Sequence, residues 1–180
     1  RTWILPPGKA DLTGLDEGVR ALEDSGFQLV QLGQLRDKPK ELHEMFAAAA
    51  KDIPSDDPVD DVRYEEWLAE IFHDPLLDDE ASFVWLNNPR PVSFTFVVVD
   101  RESKKGSHEL TGTVPEFRKR GLAKLAKLAT ARWASDNGVS LLTGNDSTNT
   151  GMLGINATLG YEPTPVTIEY VKGLSSQDAK

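Results

Sequence analysis

The order in which the hydrophobic period changes along the chain leaves it few folds. Residues 82–86, 92–100 and 108–114 are three β-rich runs, joined by the turn residues Asn87-Asn88-Pro89-Arg90-Pro91 and by the polar loop 101–106. Short connections pair consecutive strands antiparallel, so the three runs read as a meander. The period then lengthens, and Leu122, Leu125, Ala126, Ala129 and Trp133 recur at helical spacing until Asn137-Gly138. A short buried strand is expected at 139–143, a helix at 149–159 with Met152, Ile155 and Leu159 inward, and a last strand at 166–171. Upstream, residues 27–32 alternate like a strand. Leu42, Met45, Phe46 and Ala49 form one helix face after Pro39, and Tyr64, Trp67, Leu68, Ile71 and Phe72 form another, stopped by Asp74-Pro75. The expectation is a mixed α+β or α/β sheet domain over 27–174. Residues 1–26 are expected to be a lead-in or inter-domain remnant with one short helix at 15–23, and 175–180 a frayed tail.

At 180 residues with 39% hydrophobic composition, the chain is long enough for one real core. A net charge of −9 and a pI near 4.8 argue against nucleic acid or an anionic membrane as a general partner, because either needs a broadly positive surface. No cysteine is present, so thiolate catalysis, thiolate metal ligation and disulfides are excluded. The three histidines lack metal-ligand spacing, and no metal is expected. No apolar run approaches a membrane span and no signal-like segment opens the chain, so a cytoplasmic location is expected. Because residue 1 is Arg, the sequence is expected to lack its native start or to be cut from something longer.

Against this acidic background, PEFRKRGLAKLAK gathers Arg118, Lys119, Arg120, Lys124 and Lys127, five of the 20 basic residues, around Gly121. A helix start carries a partial positive charge and unpaired N–H groups, so clustered bases there oppose a local preference. A bound anion such as a diphosphate resolves the conflict, with Gly121 allowing close approach. The plainer alternative starts the helix at Pro115, makes Gly121 an interior residue and leaves the bases on a solvated face.

LTGTVPEFRKRGLAKLAK, followed by a helix, a short strand and then NDSTNTGMLGINATLGYEP, resembles the GNAT superfamily of acyl-CoA-dependent N-acyltransferases. The first stretch is similar to its pyrophosphate motif, Arg/Gln-x-x-Gly-x-Gly/Ala after a strand. The second is similar to the following motif, an Asn- and Met-containing helix ending in Leu-Gly-Tyr. IPSDDP and NxxMLxxNxxLGY further resemble one half of the tandem acyltransferases common in actinobacteria.

The resemblance implies a GNAT-like fold with a splayed central strand pair and acetyl-CoA, or another short acyl-CoA, as co-substrate. The backbone of Thr111, Gly112, Thr113 and Val114 would pair with the pantetheine arm. The N–H groups of Arg118, Lys119, Arg120, Gly121, Leu122 and Ala123 would hold the pyrophosphate, with charge added by Lys119, Arg120 or Lys124. Asn149 and Asn156, seven apart on one helical face, would reach the pantetheine or thioester; for Asn149, helix capping is the equal alternative.

The implied reaction is direct acyl transfer to a primary amine in a ternary complex. Glu109 is the candidate base, on the same strand face as Thr111 and Thr113; His108 faces the other way unless a bulge exchanges the two. The tyrosine that many relatives use to protonate the departing thiolate is replaced here by Asn156, and Tyr161 is the remaining candidate acid. A non-catalytic acyl-CoA-binding module is the alternative this departure raises, and a structural domain whose basic helix binds an acidic protein is a third. The acceptor is expected to be a small-molecule or peptide amine. DIPSDDPVDD would attract it if cationic, or serves as a solvated loop with a helix cap. A second GNAT-like domain or a second copy of the chain is a further partner the resemblance allows. His43 reads as an exposed helix residue and His73 as a helix-end residue.

Overall fold

The computed structural model describes residues 2–51, 63–145 and 148–164. The acidic run at 52–61, the strand expected at 166–171 and the tail at 175–180 lie outside the described residues.

The elements follow the order β1 (Thr2–Leu5), α1 (Leu15–Asp24), β2 (Phe27–Gln31), α2 (Pro39–Ala50), α3 (Tyr64–Trp67, continued by a π-helical turn Leu68–Phe72), β3 (Phe83–Asn87), β4 (Arg90–Asp100), β5 (Lys105–Thr113), α4 (Leu122–Asn137), β6 (Ser140–Gly144), α5 (Thr150–Thr158) and β7 (Glu162–Pro163). Among the described residues these strands form one mixed sheet, ordered β2-β3-β4-β5-β6-β1-β7. Strands β2 to β5 pair antiparallel in sequence order, and β6 returns parallel to β5 after the α4 crossover. The expected meander is present, with β2 extending it to four strands.

One difference lies at the start. Thr2–Leu5, expected within an unpatterned lead-in, is a strand between β6 and β7. With α1, which packs on α4, it makes residues 2–24 part of the sheet and its covering layer.

Alternation along β4 gives the sheet two different faces. Val92, Phe94 and Phe96 face α2, where Phe94 stacks on Phe46 at 5.8 Å between ring centroids. Ser93 and Thr95 face the α4 side and are fully buried there. A dry core on one side and a hydroxyl-rich layer on the other follow from this pattern. Gly112 lies where α2 presses on β5: a Cβ at that position would stand 2.9 Å from the Ala49 Cβ and 3.1 Å from Phe94. Gly112→Val is therefore expected to destabilise the fold by about 1–3 kcal/mol through overpacking, measured as a lower urea midpoint with unchanged slope.

Helix α4 is buried on most of its circumference: it packs across β3 to β6, and α1 lies beside it over β2. Its first residue is pinned by Trp85, whose indole N–H donates to the Leu122 carbonyl at 2.9 Å. His43, expected on an exposed face, instead packs edge-on against Tyr64 at 5.4 Å and beside Trp67, because α3 folds back over α2. No described helix is long and apolar enough to cross a membrane.

Candidate active site

The basic segment is not a continuous helix. Pro115–Phe117 make one tight 3-10 turn, the chain then extends at Arg118, and both Lys119 (φ 62°) and Gly121 (φ 86°) are left-handed before α4 begins at Leu122. The alternative with a helix from Pro115 and an interior Gly121 is thus set aside. Among the described residues no side chain caps the first turn of α4, and no acidic residue lies in it. Successive left-handed and right-handed residues turn backbone N–H groups to one side, the arrangement that receives an anion.

The five bases separate into different roles. Lys119 and Arg120 are exposed and Lys124 is half-buried; the Arg120 guanidinium lies 5.3 Å over the Phe117 ring. Arg118 is turned inward, its Nε donating to the Thr113 carbonyl at 3.0 Å and its Nη2 to the Ala49 carbonyl at 3.4 Å. Its backbone N–H meets the Pro115 carbonyl at 3.3 Å, which removes it from the set expected to face an anion. Arg118 ties the turn to α2 and β5. Lys127 leaves the cluster altogether: it is 1% exposed and points between β5 and β6.

A cleft of about 660 Å³ runs beside this turn, bordered by Thr111, Gly112, Thr113, Lys119, Gly121 and Lys124 on one side and by Asn149, Met152 and Ile155 of α5 on the other. It follows an unpaired edge. β6 pairs with β5 only from Lys105 to His108, so no described strand lies beside Glu109 to Thr113 on that side. Where the strands part, a smaller cavity of about 120 Å³ is lined by His108, Glu109, Leu110, Thr111, Lys127, Thr143, Asn145, Asn149 and Met152. The two share Thr111, Asn149 and Met152.

A β-bulge sits at this apex. Phe96 opposes Leu110 and Val97 opposes His108, leaving Glu109 as the extra residue. The regular strand expected from alternation is broken here, and the two candidates exchange faces as a bulge requires. His108 turns inward beside Thr111, and Glu109 is exposed at the mouths of the small cavity and of a neighbouring cleft of about 220 Å³ lined by Phe46, Glu70, Asp74, Phe96 and Leu110.

His108 is 7% exposed and bonded at both nitrogens. Nδ1 meets the Thr95 hydroxyl at 2.9 Å, which in turn meets Thr111 Oγ1 at 2.9 Å, and Nε2 meets the Tyr161 hydroxyl at 2.8 Å. Burial, reinforced by the neighbouring Lys127 ammonium, holds the imidazole pKa well below its ordinary value, so His108 is neutral. Burial likewise pushes the Tyr161 phenol well above its usual range. Lys127 Nζ donates to Thr143 Oγ1 at 3.3 Å and lies 5.2 Å from the Tyr161 ring centre. Desolvation lowers its pKa from 10.5 to about 7.

Asn149 takes the capping role, its side chain accepting from the Met152 N–H at 3.1 Å while it lines both cavities. Asn156 is fully buried and lines neither: its Nδ2 donates to Asn145 Oδ1 at 2.6 Å, and its own Oδ1 accepts no hydrogen bond among the described residues. Asn156 thus positions Asn145, a cavity residue that motif matching did not single out. Lys127 and Thr143 were also missed as a pair. The available signal was the run of small residues Ala123, Thr130, Ala131 and Ala134 around Lys127, where Lys124 is the one charged helical neighbour.

Solved N-acetyltransferase structures share the overall fold. The aminoglycoside N-acetyltransferase AAC(6')-Iy in complex with CoA is 20% identical with a TM-score of 0.59, the match covering 81% of this chain and 94% of that one. The ribosomal-protein-S18-alanine N-acetyltransferase from Escherichia coli is 11% identical with a TM-score of 0.61, covering 77% and 79%. The chain has the GNAT fold. A GCN5-related N-acetyltransferase from Kribbella flavida shares that fold at 18% identity and a TM-score of 0.51; the match covers 90% of this chain and 53% of that one. No protein-family profile and no curated protein matches the chain by sequence. In this chain the first turn of α4 and the open edge of β5 both border the large cleft.

Proposed function

We propose that the chain transfers an acetyl or other short acyl group from acyl-CoA to a primary amine. The observation that carries this reading is one continuous path: a left-handed turn capped by no side chain among the described residues, a cleft along the open edge of β5, and a cavity where β5 and β6 part. The residues present fit the co-substrate. The N–H groups of Lys119 to Ala123 face the cleft end suited to the pyrophosphate, with Lys119 and Lys124 adding charge. The edge of Thr111 to Thr113 accepts an extended arm as an added strand. Asn149 and Met152 close the opposite wall.

Bound acyl-CoA supplies a thioester. A backbone N–H at the Glu109 bulge would orient and stabilise the thioester oxygen. Glu109, exposed where the small cavity meets the neighbouring cleft, would take the proton from an ammonium acceptor, which must be neutral to attack. His108 is held at both nitrogens and acts as a rigid support for the bulge. Glu70, Asp74 and Glu109 border the neighbouring cleft, which suits a cationic amine.

Calorimetry with acetyl-CoA, followed by thiol release over a panel of amines, tests this reading. Saturable turnover that falls about 100-fold or more in Glu109→Gln with binding retained supports it. A second reading, an acyl-CoA sensor, is favoured by the commitment of the Tyr161 hydroxyl to His108. Binding without turnover on any amine would establish the sensor instead.

A further inference from the structure

Three candidates lie outside the roles assigned above. The cavity of about 460 Å³ between α1, α4 and β2, bordered by Leu15, Val19, Leu29 and Trp133, holds no buried polar group aimed into it. The acid-rimmed cleft beside Glu109 already belongs to the proposed acceptor side. The third is Lys127.

A lysine ammonium that is 1% exposed, with one neutral hydroxyl at 3.3 Å, is an expensive feature for a fold to keep. Its place is specific. Thr143 is the last residue of β6 paired with β5, so Nζ stands where the strands begin to part. The cavity it lines opens into the large cleft through Thr111, Asn149 and Met152. An arm laid along β5 from Thr113 toward Glu109 spans four residue steps, about 13 Å, and brings its far end to this apex.

We propose that Lys127 is the proton donor to the departing thiolate, taking the part for which neither Asn156 nor Tyr161 is suited. The assignment rests on the acyl-transfer reading above. In the step, the carbon–sulfur bond breaks as the acceptor nitrogen bonds to the acyl carbon, the sulfur keeps the electron pair, and an N–H bond of Lys127 breaks as an S–H bond forms. Lys127 is left neutral, and the cavity mouth beside Glu109 returns a proton from solvent.

The alternatives are held elsewhere. Asn156 is an amide, cannot release a proton at neutral pH, and is engaged with Asn145. Tyr161 is 4% exposed, its hydroxyl is bonded to His108, and its acidity is suppressed by burial. Lys127, with its pKa lowered to about 7, is a stronger acid than an ordinary thiol near 8.5, so transfer to sulfur is downhill. The titratable groups facing it among the described residues are His108 and Glu109 from β5 and Tyr161 after α5; β6 presents Thr143, and the α5 side presents Asn145 and Asn149.

The test uses coenzyme A and acetyl-CoA with the whole chain and the variant Lys127→Met. The thiol of bound coenzyme A is titrated by its thiolate ultraviolet absorbance, and the Lys127 Cε resonance is followed by NMR in the unsubstituted chain, which needs no variant to fold. The expected results are a Lys127 midpoint near 7 that moves when coenzyme A binds, and a bound thiol that ionises only above that midpoint. Acetyl transfer from acetyl-CoA should fall about tenfold or more in the variant, with loss of the decline in rate as pH rises through 7. A Lys127 midpoint unmoved by coenzyme A, together with a pH profile unchanged by Lys127→Met, would overturn the assignment while leaving acyl transfer intact. An acetyl adduct on Lys127 would also overturn it, since the amine would then be a nucleophile. Failure of coenzyme A to bind at all would overturn the acyl-transfer reading and this step with it.

Discussion

Lys127→Met is expected to make the folded chain more stable at pH 7, by on the order of 2–3 kcal/mol. The unfolded chain presents an ordinary lysine that binds its proton up to about pH 10.5, whereas in the fold burial lowers the pKa to about 7. Between those values the unfolded state holds more protons, so unfolding becomes harder as pH rises, by roughly 1.4 kcal/mol per unit. Below pH 7 both states are protonated and the penalty is complete. Methionine carries no charge to desolvate and fills a similar volume; Thr143 loses its donor, which offsets about 1 kcal/mol of the gain. Two other buried groups bound the window. His108 has a folded pKa below its unfolded one, so the unfolded chain takes up the proton first and stability falls as pH drops below about 6.5. Tyr161 has a raised folded pKa, so the unfolded phenol ionises first and stability falls above about pH 10. Urea melts from pH 5 to 11 should therefore show stability climbing between 7 and 10 in the unsubstituted chain. Lys127→Met should remove that climb alone. An identical climb in both chains would mean that another group carries it.

Why some of this was legible in the sequence and some was not has physical reasons. The meander could be read because its strands are joined by short turns rich in Asn, Pro and Gly, which leave no room for a crossover. The break before α4 could be read in part, because a glycine amid bases at a helix start is costly inside a helix, and Gly121 is left-handed there with a φ of 86°. Thr2–Leu5 could not be read as a strand: four residues lack a period, and it is pairing with the distant β6 that makes them extended. The bulge at Glu109 is set by the way β5 leaves β6 while still pairing with β4, and nothing in Ser-His-Glu-Leu announces it. Lys127 was hidden for another reason. A two-layer reading of α4 assigns its lysines to solvent, but Lys127 turns inward where β5 and β6 part, and α1 lies beside the helix over β2.

Paired charge reversal at Lys119 and Lys124 is expected to weaken acetyl-CoA binding by more than 100-fold, while Arg120→Glu should weaken it severalfold at most. The difference follows from where each group is held. Lys119 and Lys124 both border the large cleft, one in the left-handed turn and one in the first turn of α4. Each would make a charge-assisted hydrogen bond to phosphate worth about 1.5–3 kcal/mol, and two such losses multiply to a factor of 100 or more before repulsion is added. Arg120 rests over the Phe117 ring and does not border the cleft, so it contributes long-range attraction that salt screens. Arg118 behaves differently again. Because its guanidinium holds the Thr113 and Ala49 carbonyls, Arg118→Ala should lower thermal stability as well as binding, the signature of a residue that shapes the turn and does not itself carry the anion. Calorimetry at two salt concentrations separates these cases: the salt dependence should flatten in the Lys119/Lys124 pair and persist in Arg118→Ala. Equal losses from Arg120→Glu and from the paired reversal would show that the cluster acts only as a diffuse positive field, and the phosphate-binding role of the turn would have to be abandoned.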